Sequence, residues 1–153
     1  MPDDPLFPRG SPDAVQIVIP ADPQSVRGAL CALFDSLLLQ SLSEDRRGTA
    51  EIVLAEAMNN IVEHAYARRE GLIHLSLRLG PCDLVCRIED SGQPMPAGEL
   101  PGRELCLRDE TGDVAEGGFG WHLIRSLSRD LDYRRVDGRN LLTFRIDAGQ
   151  SRD

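Results

Sequence analysis

The stretch EIVLAEAMNNIVEHAY, residues 51–66, decides how the rest of the chain is read. Most of it has the pattern of an amphipathic helix, yet Glu56, Asn60 and His64 recur every four residues and so fall along one line of that helix. A face that needed only solvation would carry Lys, Arg and Glu. An acid, an amide and an imidazole in a row offer specific chemistry instead. A carboxylate accepts or orients a hydroxyl proton, and a neutral amide oxygen one turn away ligates a hard cation such as Mg²⁺ without adding charge. An imidazole a further turn along orients the group beside it. Such residues also occur on helices as solvated or mutually satisfied groups, so this helix alone does not define a site.

Working outward, residues 15–20 (VQIVIP) read as a β-strand rich in β-branched residues. Asp22 followed by Pro23 is a capping side chain and then a residue that needs no amide donor, which predicts a helix over 22–40. Ser43 or Asp45 caps the helix of the opening stretch, expected to run to about Ala67, and Gly71 ends the connection. LIHLSLRL (72–79) and DLVCRIED (83–90), joined through Gly80-Pro81, predict an antiparallel hairpin. Residues 91–117 are rich in glycine, proline and charge, with little periodicity, and a loop that long in a compact domain is functional or mobile. A helix over Gly118–Asp130 follows. Then come strands LDYRRV and LLTFRI, separated by the turn signal Asp137-Gly138. The order β-α-α-β-β-loop-α-β-β describes an α+β two-layer sandwich, three helices on one face of a mixed, mainly antiparallel sheet. Residues 14–148 form one domain, and the proline-rich residues 1–13 read as a disordered tail.

Composition narrows the function. The chain has 153 residues, enough for one sizeable core, and is 41% hydrophobic. Its formal net charge of −8 argues against binding nucleic acid through the phosphate backbone. The most apolar run, ALCALFDSLLL, is too short to cross a membrane and carries Asp35. The N-terminus lacks the basic start and apolar stretch of a secretion signal. Cys82 and Cys86 do not have zinc-ligand spacing, so the cysteines read as reduced thiols in a cytoplasmic protein.

Two further motifs stand downstream. Asp90-Ser91-Gly92-Gln93-Pro94 lies where the second hairpin strand ends. It is a routine turn sequence, but an acid at a strand end also accepts a hydrogen bond from an exocyclic amine, and Gly92 lets a flat ring approach the backbone. Gly117-Gly118-Phe119-Gly120 opens a helix, where free amide donors and the positive helix end bind phosphate. No Gly-Lys-Ser/Thr follows, so it is not a Walker loop.

In order and spacing the three motifs resemble the N, G1 and G2 boxes of the GHKL ATPase superfamily, from about residue 15 onward. Glu56-x-x-x-Asn60-x-x-x-His64-Ala65-Tyr66 and the ending GGFGWHLIRSLSRDLDYRR…GRNLLTFRI are especially similar to the anti-sigma-factor serine/threonine kinases of bacterial partner-switching systems. The resemblance implies a Bergerat fold that binds ATP and Mg²⁺. It implies Glu56 as the base or hydroxyl-orienting residue, Asn60 as the Mg²⁺ ligand, and His64 on the same pocket wall. It implies Asp90 as acceptor of the adenine amino group with Gly92 beside the ring, and Gly117, Gly118, Phe119 and Gly120 as the phosphate turn. Residues 95–117 become an ATP lid from which Arg103 or Arg108 reaches the γ-phosphate. The implied partners are a sigma factor and a STAS-type antagonist phosphorylated on Ser or Thr, with the kinase a homodimer. The alternative is a non-catalytic nucleotide-binding regulator. Two departures stand out: Trp121 replaces a small aliphatic residue of the G2 box, and Met95-Pro96 stands where Phe-Asp is frequent.

Overall fold

The computed structural model describes residue 7, residues 13–96 and residues 118–148. Five strands, β1 (Ala14–Pro20), β2 (Leu72–Leu79), β3 (Asp83–Asp90), β4 (Arg129–Val136) and β5 (Arg139–Asp147), form one sheet in the order β1-β2-β3-β5-β4. Every pairing among the described residues is antiparallel, so the sheet is antiparallel throughout rather than mixed. Helices α1 (Pro23–Phe34), α3 (Glu44–Asn60) and α4 (Gly118–Leu127) supply the second layer, with a short α2 (Leu37–Gln40) between the first two.

Alternation along the strands sorts the two sheet faces. Ile73, Leu75 and Leu77 of β2, Leu84, Cys86 and Ile88 of β3, and Leu142, Phe144 and Ile146 of β5 are buried in one core. That core also holds Val26, Leu30 and Leu33 of α1, Leu54 and Met58 of α3, and Ile124 of α4. Burial in this apolar layer holds the Cys86 thiol far above the ordinary thiol range, so it is an inert core group. Cys31 and Cys82 are exposed free thiols. On the opposite face, Phe7 is fully buried: Gln16 Nε2 donates to its carbonyl at 2.9 Å, and the Arg87 guanidinium sits 4.7 Å from its ring centroid. Phe7 falls within the segment expected as a tail, of which residues 1–6 and 8–12 lie outside the described residues.

Local chemistry explains where elements start and stop. Asp22 caps α1, accepting from Ser25 N at 2.7 Å, with Pro23 at the first helical position. The expected single helix over 22–40 breaks at Asp35-Ser36. There the Ser36 backbone N–H and hydroxyl both turn to the Leu33 carbonyl, and α2 restarts from Ser36 as its N-cap. Helix α3 begins at the Ser43 cap with Glu44 and Asp45 in its first turn, where they complement the helix dipole. It does not run on as α-helix to residue 67. Ile61–Ala65 form a π-helical turn, closed by Tyr66 N donating to Ile61 O at 2.9 Å, and left-handed Ala67 and Arg68 end it. Helix α4 stops at Leu127, where Ser128 bonds back to the Ile124 carbonyl through both its N–H and its hydroxyl, and β4 begins at Arg129. The β4–β5 hairpin turns on Asp137 and Gly138, both at positive φ, as a two-residue primed turn requires.

Phe144 lies at the middle of the core with 1% exposure. Phe144→Ala is expected to destabilise the fold by about 3–5 kcal/mol in urea unfolding, from lost apolar burial plus the cavity left behind. A loss below about 1 kcal/mol would contradict the packing described.

Candidate functional site

Two helices and two strand ends meet at one end of the sandwich. Glu56 and Asn60, half-buried on α3, face the start of α4 at Gly120. A Cβ at position 120 would stand 2.7 Å from Glu56 Oε2 and 3.7 Å from Asn60 Nδ2, so a side chain here would have to displace the end of the Glu56 side chain. The Asn60 Nδ2 atom is buried and has no hydrogen-bond partner among the described residues. A buried amide left open in this way is either a defect or a ligand site.

The third element is the turn after β3. Asp90 is buried, and its Oδ1 accepts from Gly92 N and from Asn140 Nδ2, both at 2.8 Å. No described residue donates to Oδ2. Asn140 comes from β5, directly opposite Asp90 in the register. Its Oδ1 accepts from Tyr133 OH at 2.5 Å and Arg135 Nη1 at 3.0 Å, and its Nδ2 also donates to Gln93 O at 2.8 Å. Burial raises the Asp90 carboxyl above its ordinary range, and the Asn140 bond, the Gly92 amide and the Arg135 charge oppose that rise.

The other side of the turn rests on the π-turn. Gln93 N donates to Ala65 O at 2.7 Å, and a Cβ on Gly92 would lie 2.5 Å from that same carbonyl oxygen. Glycine is therefore required at 92 by the approach of Ala65, a different need from the ring contact expected of it. Tyr66 completes the join, its hydroxyl donating to Leu72 O at 2.7 Å and accepting from Ser91 N at 2.8 Å.

The structure thus brings Glu56, Asn60 and Gly120 together, and ties Asp90 and Gly92 to the turn that follows Asn60 on the same helix. His64 is exposed. It lies within the π-helical segment Ile61–Ala65, where the regular α-helical spacing of Glu56 and Asn60 no longer holds. Gly118 and Phe119 lie in the first turn of α4. Gly117, Arg103, Arg108 and all of the expected lid beyond Pro96 lie outside the described residues. Asn140, Tyr133 and Arg135 were given no role from sequence, and Tyr66 entered only as the end of the Glu56–Tyr66 motif. A signal for Asn140 existed: it takes the inward position of an alternation continued by Leu142, Phe144 and Ile146, where an amide needs a buried partner.

Asn60 fits a hard divalent cation. A half-turn of its amide would present the oxygen where the unpartnered Nδ2 now stands, and a Mg²⁺ site takes few protein ligands besides substrate phosphates. No cluster of three His, Cys, Asp or Glu side chains competes for this role among the described residues.

An α+β sandwich with a polar helix face, an acid-glycine turn and a glycine at a helix N-terminus converging at one end defines a nucleotide-binding domain of the Bergerat type. Residues 19–146 match the histidine kinase-like ATPase domain family, and the chain belongs to that family, within the GHKL superfamily. It is 36% identical over 102 residues to the serine/threonine-protein kinase BtrW of Bordetella bronchiseptica, covering 64% of this chain and 68% of that protein. Its fold is similar to the RsbU and RsbW domains of Rv1364c from Mycobacterium tuberculosis, with a TM-score of 0.57 and 15% identity. That match covers 87% of this chain, which spans only 32% of the mycobacterial one.

Two substitutions probe the turn. Asp90→Asn keeps an oxygen acceptor for Gly92 and Asn140 and removes a buried charge. Because the folded-state pKa of Asp90 is raised, the protonated carboxyl favours the folded state, and that increment is lost as pH rises from the ordinary carboxylate range through the raised value. Urea unfolding across that window should show wild-type stability falling relative to Asp90→Asn; a parallel profile would contradict the buried carboxylate. Gly92→Ala should cost about 1–3 kcal/mol by forcing the turn off Ala65, read as a lowered midpoint of thermal unfolding.

Proposed function

We propose that the chain is an ATP-dependent protein serine/threonine kinase that also binds a sigma factor, its substrate being a STAS-type antagonist of that anti-sigma activity. The observation that carries this reading is the apposition of the Glu56 carboxylate and the Asn60 amide nitrogen, unpartnered among the described residues, to the start of α4 at Gly120. Family membership supports ATP as the ligand, and the serine/threonine-kinase relative supports protein phosphorylation over simple hydrolysis. The sigma factor and antagonist rest on the similarity of the Glu56–Tyr66 and C-terminal motifs to partner-switching kinases. A cytoplasmic setting follows from those partners. No described helix is long and apolar enough to cross a membrane.

The mechanism uses residues at both ends of the pocket. Asp90 Oδ2 accepts from the amino group of adenine, a charge-assisted bond. Backbone amides at the start of α4, with the helix dipole behind them, hold the phosphates. Asn60 would hold Mg²⁺, which when bound neutralises phosphate charge during transfer. Glu56 orients the incoming Ser or Thr hydroxyl and accepts its proton as the new O–P bond forms and the bond to the leaving ADP breaks. The exposed edge of β1 and the neighbouring α1 are the surfaces proposed for a homodimer contact.

Glu56→Gln keeps the shape and removes the base. With labelled ATP and an antagonist captured from the native lysate, transfer should fall by about 10²-fold or more with nucleotide affinity nearly intact. Undiminished transfer by this variant removes Glu56 from the chemistry. A wild type that binds nucleotide but labels no antagonist returns the protein to the class of non-catalytic regulators.

A further inference from the structure

We propose that Asn140, Tyr133 and Arg135 act as one positioning unit that gives Asp90 its selectivity for adenine. None of the three belongs to a nucleotide motif of the sequence, and the inference rests on the proposed role of Asp90 as the base acceptor. It begins with the Asn140 side chain. Both amide ends are saturated: Oδ1 by Tyr133 OH and Arg135 Nη1, Nδ2 by Asp90 Oδ1 and Gln93 O. The amide therefore has one permitted orientation. A flip would set its NH₂ against a guanidinium that cannot accept, and its oxygen against a carboxylate and a carbonyl that cannot donate.

That fixed orientation transfers to Asp90. With Asn140 Nδ2 and Gly92 N both on Oδ1, the carboxylate is locked about its terminal torsion, and Oδ2 is the oxygen offered to a ligand. The same unit fixes the turn that would flank the base. Arg135 Nη1 donates to Gly92 O at 2.7 Å, and Tyr133 OH accepts from Met95 N at 2.9 Å. Strand β4 thus orients the acceptor and the backbone beside it from a single point. A directional acceptor distinguishes a 6-amino purine, which donates, from a 6-oxo purine, which opposes one carbonyl dipole to the carboxylate. A carboxylate free to rotate, on a turn free to shift, keeps its charge but loses that discrimination.

Arg135 is exposed and Tyr133 half-buried, so their polar tips can be trimmed without opening the core. The probes are ADP and inosine diphosphate, which differ in the group at position 6 of the base. Dissociation constants of both, from competition against a fluorescent ADP in Mg²⁺ buffer, would be measured with thermal midpoints for the full chain. The wild type should prefer ADP at least about tenfold, the scale of one hydrogen bond to a charged group. Tyr133→Phe and Arg135→Met should each lower that preference at least about threefold, through weaker ADP binding with inosine diphosphate unchanged. Arg134→Met, on the neighbouring exposed arginine paired to Asp132, should leave the ratio as it is. Parallel weakening of both nucleotides would assign the unit a purely structural part and overturn the inference, as would an unchanged ratio in both variants. A wild type with no preference would overturn the reading of Asp90 itself.

Discussion

A buried carboxylate has to be satisfied, and the arrangement of this site follows from how Asp90 is. Its burial opposes ionisation, while two hydrogen bonds to one oxygen and a nearby guanidinium oppose that effect. The bond from Asn140 is a cross-strand bond, available only because β3 and β5 pair antiparallel with residues 90 and 140 opposite each other. A slip of one residue would turn Asn140 to the outer face and leave Asp90 with a backbone donor alone. The register of the central sheet and the chemistry of the site are therefore one constraint.

The second constraint lies at the end of the polar helix. Continued as regular α-helix, the segment after Asn60 would present a different carbonyl to the turn at 92–93. The π-turn instead delivers Ala65 O within 2.7 Å of Gln93 N, and glycine at 92 lets the two backbones touch. π-Turns within helices are frequent at functional sites. Here the turn couples the helix bearing Glu56 and Asn60 to the turn bearing Asp90. The same close approach recurs at Gly120, which lets the start of α4 reach Glu56. The two places differ in what a side chain would meet: at 92 the backbone of Ala65, at 120 the movable end of the Glu56 side chain.

The sequence made the architecture legible wherever a local signal was strong. Alternation gave β2 and β3 to the residue, Asp22-Pro23 gave the start of α1, and Asp137-Gly138 gave the last hairpin turn. It failed where a local hydrogen bond competes with a helix, as at Ser36, and where a helix changes its winding, as at residues 61–65. The candidate site was legible for Glu56, Asn60, Asp90, Gly92 and Gly120, whose types and order carry the family's pattern. His64 was placed by counting four residues along a regular helix that the π-turn interrupts. Asn140, Tyr133 and Arg135 were hidden because their role depends on strand register, and the expected strand LLTFRI begins one residue after Asn140. The burial of Phe7 was hidden for a related reason: a lone aromatic among prolines has no periodicity, and its place depends on an open sheet face formed by distant residues.

The central claim is that Asp90 at one end and Asn60 with the start of α4 at the other form a single nucleotide pocket. Calorimetric titration of the wild-type chain with ADP, with and without Mg²⁺, tests it most directly. The account predicts saturable binding of one ADP per chain that Mg²⁺ strengthens, because in the proposed pocket Asp90 would take the base and Asn60 would hold the cation. The absence of saturable ADP binding in Mg²⁺ buffer would contradict it.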